Sequence, residues 1–463
     1  MVTIAPQRPV SGIRTAPVEP APGPPSRDRV LDLVRVAAMV LVVAQHWLMP
    51  ILAVDGGAIV LERANVLENV WPATWVTQVM PLVFFTSGAA AVLSLRGRAA
   101  PGSTWVARRL IRLLGGVVVL AVVWLPLPHA LLATGLDPAV VSVGSRLIGA
   151  LLWFLVVLVV LTMLTPVLLR MADRWRGVEL GALALAAVGV DVVRFGAGWQ
   201  YAGYLNAVLV WAAVYLVGVH YARGRLAWLS GARAVGVAAL ALAVLAAAVA
   251  FGPYPPAMIG LPGTSVSNMN PPSAALLALA AAQIGLLLAL RPALERLVAR
   301  PRVAALIDRC APHTMTVYLW HTPAIVLVAA VVVALGVDAP EVGSATWGWQ
   351  LPLWCIAAGA VLAMCVAGVG QAGLRPGHGR VGTGRVVGAG ALALGGLAAL
   401  MVGGFDPARW SELVGPWVGA GAIACGAALL GARLHADVPA LRSRVPEPRL
   451  AGASMRAPGK VVA

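Results

Sequence analysis

Two ionisable residues interrupt the first long apolar run of the chain. Arg35 and His46 are eleven residues apart, and only Gln45 otherwise breaks the apolar stretch from Arg35 to Asp55. Eleven residues of α-helix turn through about 1100° and rise about 16 Å, so the two side chains share one face at different depths. His46 is therefore a candidate general base, with Arg35 as a candidate oxyanion stabiliser. The alternative is structural: His46 only bonds Gln45 or a neighbouring helix.

A pair of arginines opens the third apolar run. Arg109 and Arg112 are three residues apart, which makes them neighbours on a helical surface. Paired guanidinium groups offer planar, bidentate donors that suit a phosphate. The competing interpretation is that these arginines only anchor the helix at the cytoplasmic face.

Small residues and a proline mark two further apolar runs. Ser87 and Gly88 follow a Phe-Phe-Thr step, and such small residues let a second helix or a ligand approach the backbone closely. Pro323 lies inside the run that holds Tyr318 and His321, where a proline frees a backbone carbonyl. His321 either meets a ligand within the membrane or bonds that carbonyl.

The composition requires a membrane environment for these elements. Hydrophobic residues make up 60% of the 463 residues and charged residues 11%, against about 25% charged in a soluble domain. The net charge of +16 comes from short clusters between apolar runs, which is typical of cytoplasmic loops and argues against a nucleic-acid partner. The four cysteines show no CxxC spacing, so neither a disulfide framework nor a metal site is expected.

Apolar windows long enough to span a bilayer recur twelve times. A spanning helix needs about 20 mostly apolar residues. The windows lie at residues 30–50, 73–95, 106–126, 146–169, 178–196, 204–222, 233–252, 273–291, 313–336, 350–374, 384–404 and 413–433. The sequence therefore predicts an all-α fold, a polytopic transmembrane bundle of about twelve helices. The fifth window holds Asp191 and Arg194, which we expect to pair with each other as a structural feature.

The distribution of arginine gives an orientation. Arginines cluster in alternate connections, whereas residues 253–272 and 337–349 carry no basic residue. Because cytoplasmic loops retain arginine and lysine, both termini are expected in the cytoplasm. The predicted organisation is a disordered Pro-rich tail over 1–28, a core of ten helices over 29–375, two additional helices over 384–433 and a disordered basic tail over 434–463.

Taken in order, these motifs resemble the acyltransferase 3 family of membrane-embedded bacterial O-acyltransferases. The resemblance rests on Arg35 and His46 with ten residues between them, the Phe-Phe-Thr-Ser-Gly step, the Arg-x-x-Arg pair, a Leu-Leu-Trp-Phe-Leu run at 151–155 and a Tyr-x-x-His-x-Pro segment at 318–323. It covers about residues 28–375 and leaves the last two helices outside. No single motif is specific, but the ordered set is.

The resemblance implies an activity and roles for individual residues. A ten-helix core would take an acyl group, acetyl or another short one, from cytoplasmic acyl-CoA and pass it to a hydroxyl of a cell-surface glycan, lipid-linked sugar or metabolite. By match of motif, His46 and Arg35 would be catalytic, Arg109 and Arg112 would bind the CoA phosphates, and Ser87 and Gly88 would line the acyl channel. Tyr318 and His321 would lie along the channel or near the acceptor. The bacterial plasma membrane, with its lipid as surroundings, would be the location.

Two alternatives stay open at this point. The chain has no hydrolase-like domain after its membrane part, so either a separate extracytoplasmic partner completes the transfer or the acceptor enters the membrane core directly. A bundle of twelve helices with both ends inside is also typical of a secondary transporter or flippase. Against a transporter, the chain shows no internal repeat, and its ionisable residues crowd into the first three helices.

Overall fold

A computed structural model describes most of the chain as α-helix. The described residues are 27–48, 51–55, 58–62, 71–95, 102–260, 266–337, 344–369, 372–409 and 415–436. The helices are α1 Arg29–Leu48, α2 Ala73–Thr77, α3 Met80–Leu93, α4 Ser103–Trp124, α5 Leu127–Ala133, α6 Pro138–Ala150, α7 Trp153–Trp175, α8 Val178–Gly196, α9 Asn206–Ala222, α10 Gly231–Phe251, α11 Ala275–Val298, α12 Pro301–Cys310, α13 Thr314–Ala334, α14 Ala345–Val369, α15 Thr383–Gly403 and α16 Pro416–Leu429. Short 3₁₀ turns cover Gln200–Leu205, Ala311–His313 and Pro407–Arg409.

Every one of the twelve predicted windows contains a helix, and the all-α polytopic fold is confirmed. Within the described ranges, ten helical segments are long and apolar enough to cross a membrane. The two windows outside that set correspond to α8 and α16. Helix α8 carries Glu179, Asp191 and Arg194, and α16 is only 14 residues long. Most of each predicted tail, 1–28 and 434–463, lies outside the described residues. Arg96 and Arg98, in the connection after the second window, also lie outside them.

Two small antiparallel sheets accompany the helices. Strand β1 Ile51–Asp55 pairs with β2 Ala58–Glu62, and β3 Ala372–Pro376 pairs with β4 Ala432–Ala436. The second sheet corrects the ends of two predicted helices, since α14 stops at Val369 and α16 at Leu429. Gly431, with φ +76°, adopts the left-handed conformation that ends many helices and lets the chain turn into β4.

Helix α3 packs on α1, α9 and α11, and most closely on α9. A Cβ atom at Gly88 would overlap the carbonyl oxygen of Tyr215, and one at Gly218 would overlap that of Phe85. The two glycines therefore allow a backbone-to-backbone crossing, as small residues do in membrane bundles. The side of Gly88 that the sequence left open to a helix or a ligand is occupied by α9.

The last two helices pack against the preceding helices of the bundle. Helix α15 contacts α6 and α7, and α16 contacts α4. The backbone of Phe405 donates to the Ser145 carbonyl over 3.1 Å, and Phe405 itself is buried. Strand β3 lies against α4 where Gly115 leaves room for the backbone of Leu374. This C-terminal extension, residues 372–436, is an integral part of the bundle.

Asp191 and Arg194 do not pair directly, contrary to our prediction. Asp191 accepts hydrogen bonds from Asn206, from the Tyr254 hydroxyl and from the backbone of Ala274. Arg194 donates to the carbonyls of Ser267 and Pro271 and to Gln200. Both side chains are buried, and each is satisfied by the loop between α10 and α11 or by the start of α9. Asp191 and Arg194 are structural residues, as predicted, but they stabilise the loop between α10 and α11 and not each other.

Candidate functional site

Two histidines from different helices meet inside the bundle. His46 lies near the end of α1, and His321 lies in α13, just before Pro323. The Nε2 atom of His321 is 3.3 Å from Nδ1 of His46, and the ring centroids are 5.0 Å apart. His321 is fully buried, whereas His46 retains some exposure. An imidazole that keeps one accessible edge in an apolar interior suits proton transfer.

Backbone carbonyls hold both rings. His46 Nδ1 is 2.8 Å from the carbonyl oxygen of Val42, and His321 Nδ1 is 2.6 Å from that of Tyr318. The indole of Trp47 donates to the carbonyl of His321 over 2.9 Å, which ties α1 to α13. His46 does contact a neighbouring helix, and its partner there is the ring of His321. Its second partner is the carbonyl of Val42 and not Gln45. Pro323 leaves the carbonyl of Leu319 without its helical donor. His321 bonds the carbonyl of the preceding residue, Tyr318, and not the one that Pro323 leaves free.

An aromatic wall supports the histidine pair. The Tyr318 ring lies between His321, at 5.8 Å, and Phe154, at 5.0 Å between centroids. Phe154 contacts Phe84, which stacks on Trp211 at 4.6 Å. The Tyr318 hydroxyl donates to the carbonyl of Leu151, so the ring is fixed at both ends. Aromatic pairs of this kind add to burial through edge-to-face contacts, and here they make the surroundings of His321 rigid.

Arg35 of α1 belongs to a polar layer that is separate from the histidine pair. Arg35 is about one-third exposed and donates to Asp32 over 3.3 Å. Arg109 of α4 is close enough to Arg35 to interact electrostatically, and it also acts on the Tyr215 hydroxyl. Arg109 donates to the carbonyl of Ser87 over 3.5 Å. The structure therefore places Arg109 against Ser87 and within electrostatic range of Arg35, a relationship that three separate motifs of the sequence did not show.

The two arginines of the Arg-x-x-Arg pair have different surroundings. Arg109 is half-buried, and its guanidinium lies 5.3 Å from the centre of the Trp105 ring. Arg112 is exposed and donates back to the carbonyl of Arg108 over 3.3 Å. Arg109 contacts α3 through the Ser87 carbonyl, and this contact places it in the polar layer.

Apolar side chains separate the arginine layer from the histidine pair. Ala38 and Val42 occupy the face of α1 between Arg35 and His46, and both are buried, at 2% and 5% exposure. The shared face predicted from the spacing is therefore packed over its middle part. A substrate that contacts both Arg35 and His46 must therefore pass beside Ala38 and Val42 and not over them.

A cavity of about 550 Å³ opens beyond the arginine layer, where α1 begins and α3, α9 and α11 end. Its walls include Leu93, Tyr221, Arg291 and Asp28. The Asp28 carboxylate accepts from the Tyr221 hydroxyl over 3.0 Å and from Arg291 over 3.3 Å. Asp28 and Arg35 are seven residues apart, about two helical turns. The volume falls in the range of small-molecule sites.

The sequence did not indicate two residues of this region. The hydroxyl of Tyr215 is buried, lies 2.9 Å from the Thr165 hydroxyl and interacts with Arg109. Asp28 begins the first helix as a cap, since its side chain accepts from the backbone of Val30 over 3.0 Å. A capping signal was readable at Asp28. Nothing in the spacing of α9 singles out Tyr215, because its partners come from other helices.

In the described residues, no group of three or more His, Cys, Asp and Glu side chains is placed to hold a metal ion. What the bundle does hold is a histidine pair embedded among aromatics, and an arginine layer nearer the end with the cavity. The class that this fold and site define is a polytopic helical membrane protein with two histidine rings in contact in its interior.

Comparison with known families identifies the chain further. A family model described as an acyltransferase domain, that of the acyltransferase 3 family, matches residues 28–370. The chain belongs to this family, and the resemblance seen in its motifs is confirmed. The match ends just before β3, so the C-terminal extension lies outside it. No curated protein and no solved structure matches the chain significantly. The protein is a multi-pass membrane acyltransferase of this family.

Proposed function

We propose that the protein transfers a short acyl group, acetyl in the simplest case, from cytoplasmic acyl-CoA to a hydroxyl group. The acceptor is a cell-surface glycan, a lipid-linked sugar or a metabolite. The observation that carries the proposal is the His46 side chain, which keeps an accessible edge while His321 and Val42 hold its other edge. The family membership supports acyl transfer over the transporter alternative.

The proposed reaction uses His46 as general base. His46 accepts the proton of the acceptor hydroxyl, the hydroxyl oxygen bonds to the thioester carbonyl carbon, and the carbon–sulfur bond breaks. The proton then passes from His46 to the departing CoA thiolate, so atoms and charges balance. Arg35 stabilises the negative charge that develops on the carbonyl oxygen or fixes the thioester carbonyl. A transient acyl-histidine on His46 is the variant of this scheme with a covalent intermediate.

The donor is proposed to enter at the end of the bundle that holds the cavity. Arg109 lies beside Ser87, and its charge acts on Arg35, which precedes His46 along α1 on the side of the cavity. A cation in that position suits the CoA diphosphate. The more exposed Arg112 would contribute from the surface. In this arrangement the end of the bundle with the cavity faces the cytoplasm, and both termini are on the cytoplasmic side of a bacterial plasma membrane. The acceptor then arrives from the opposite side, or a separate acyl-transfer partner carries the acyl group to it.

Acyl-CoA-dependent labelling tests the proposal. Membrane vesicles that contain the protein are supplied with acetyl-CoA labelled in the acetyl group, and labelled envelope material and free CoA thiol are both measured. We expect His46→Gln to abolish both signals while its gel-filtration profile stays that of the wild type. His378→Gln is the matched control, because His378 is an exposed histidine outside the bundle. Full labelling by the His46→Gln protein would refute the proposed role of His46.

A further inference from the structure

The contacts of the histidine pair determine which ring nitrogens carry protons. A carbonyl oxygen only accepts, so the Nδ1 atoms of His46 and His321 must each donate, to Val42 and Tyr318 respectively. A neutral imidazole has a single N–H, which leaves Nε2 of both rings unprotonated. The Nε2 of His321 is then an acceptor that faces the Nδ1–H of His46 at 3.3 Å.

A second donor supports the acceptor role of His321 Nε2. The Thr322 hydroxyl lies 3.4 Å from that nitrogen and supplies a hydrogen bond to it. No described residue bonds the Nε2 of His46, and this side chain keeps some exposure. The one unshared basic nitrogen of the pair is therefore Nε2 of His46, at the edge that a substrate can reach.

We propose that His321 is a positioning residue: it shares the Nδ1–H of His46 with the nearer Val42 carbonyl, and the two acceptors together hold the tautomer whose Nε2 points at the substrate as the base. The kinetic consequence of this inference rests on the proposed function. When His46 takes a proton at Nε2, its Nδ1–H stays bonded to Val42 and His321, so the ring keeps its orientation in both charge states. His321 itself is fully buried and has no free edge for a substrate.

The scaffold around His321 makes this role testable by substitution. The link from Trp47 runs to the backbone carbonyl of His321 and not to its ring, so changes of the ring leave this connection of α1 to α13 in place. A glutamine places its terminal amide near the position of Nε2 and offers an oxygen to His46. An asparagine reaches only the position of Nδ1, so it can bond the Tyr318 carbonyl but not His46.

The kinetic experiment compares His321→Gln with His321→Asn. Loss of a partner that orients a histidine ring typically costs about 10–100-fold in metal sites, and we expect a fall in kcat of about tenfold or more for the asparagine variant. We expect the glutamine variant to keep most of the activity, and the KM for acetyl-CoA to stay unchanged in both. An asparagine variant with the kcat of the wild type, or a change confined to KM, would overturn the proposal. An equal loss of kcat in both variants would also overturn the proposal, because it would mean that the reaction needs the imidazole of His321 and not only an acceptor for His46.

A spectroscopic experiment decides the tautomer without any activity. Histidine labelled with nitrogen-15 is incorporated into the full-length protein in lipid bilayers, and the His46 signals are assigned by their absence in His46→Gln. We expect the wild-type spectrum to show Nδ1 protonated and Nε2 unprotonated at His46, and the asparagine variant to show a mixture. A wild-type ring that carries its proton on Nε2 would refute the positioning role even if acyl transfer proceeds. Conversely, failure of acyl transfer would leave this measurement valid.

Discussion

The hydroxyl of Ser142 donates a hydrogen bond to Oδ2 of Asp406 over 2.6 Å, across 264 residues of sequence. It joins α6 of the family domain to the turn after α15 of the C-terminal extension. Asp406 is buried at 3% exposure, and its other oxygen accepts from the backbone of Ala408 over 3.0 Å. Buried carboxylates need such partners, so the extension and the core stabilise each other through this contact.

Removal of the Asp406 carboxylate should destabilise the whole protein. Asp406→Ala removes the acceptor of two part-buried hydrogen bonds, from the Ser142 hydroxyl and from the Ala408 N–H, and each such bond contributes about 0.5–1.5 kcal/mol. Thermal unfolding in detergent, followed by gel filtration, measures the loss. Ser142→Ala should cost less, and the double variant should resemble Asp406→Ala, because the two residues share one hydrogen bond. Additive effects of the two substitutions would contradict a direct coupling.

Replacing two glycines by alanine should change the stability of the protein in opposite directions. Gly88 lies where α3 crosses α9, whereas Gly189 lies on α8 with open space around it. Gly88→Ala places a methyl group on the carbonyl oxygen of Tyr215, and overpacking of this kind costs about 1–3 kcal/mol or more. At Gly189 of α8 an added Cβ atom would meet no other atom within 4 Å, so Gly189→Ala should gain up to about 1 kcal/mol from helix propensity. The apparent melting temperatures should move in opposite directions. A neutral Gly88→Ala variant would show that α9 can shift away from α3.

Hydropathy alone placed a helix in each of the twelve windows, but it missed the short helices α5 and α12 and some helix ends. Long apolar windows are unambiguous in a membrane chain, because the bilayer requires about 20 residues for each span. The windows that ran too far, at α14 and α16, ended in strands β3 and β4. Those strands form through pairing between residues 56 or more positions apart, which a local window cannot register.

The histidine and arginine motifs supplied the residues of the candidate site, but they did not show which of these residues lie together. The helical spacing placed Arg35 and His46 on one face, and α1 is a continuous helix through both. The pairing of His46 with His321 and the approach of Arg109 to Ser87 depend on how α1, α3, α4 and α13 pack. The Asp191–Arg194 prediction was wrong for the same reason: spacing along one helix allowed a pair, but loop carbonyls and amides from elsewhere satisfied both groups.

The two arginines of the Arg-x-x-Arg pair, Arg109 and Arg112, should differ in donor binding. Arg109→Gln removes a half-buried cation beside Ser87, and we expect the KM for acetyl-CoA to rise about tenfold or more, since a hydrogen bond to a charged group contributes about 1.5–3 kcal/mol. Arg112 is exposed, where such contacts contribute about 0.2–1 kcal/mol, so Arg112→Gln should change KM by less than about fivefold. Initial rates at varied acetyl-CoA concentration measure both. Arg108→Gln is the exposed control, and equal effects at all three positions would indicate a general charge requirement.

The loop between α10 and α11 should lose stability at high pH. The Tyr254 hydroxyl donates to Asp191 over 3.0 Å, and burial, followed by the negative charge of Asp191, raises the pKa of Tyr254 above its ordinary value of about 10. The folded protein therefore keeps the phenol proton to a higher pH than the unfolded chain. This group has no pH-dependent effect on stability below about pH 10, and above it the stability falls because only the unfolded chain releases the proton.

Melting temperatures between about pH 8 and about pH 11 test this dependence. Tyr254→Phe removes the hydrogen bond to Asp191 and should be less stable than the wild type at the lower pH. It also removes the titrating group, so the difference between the two proteins should narrow as the pH rises above about 10. Tyr201→Phe serves as the control, because Tyr201 is 78% exposed. A constant difference across the range would mean that the Tyr254 proton is not held more tightly in the folded state.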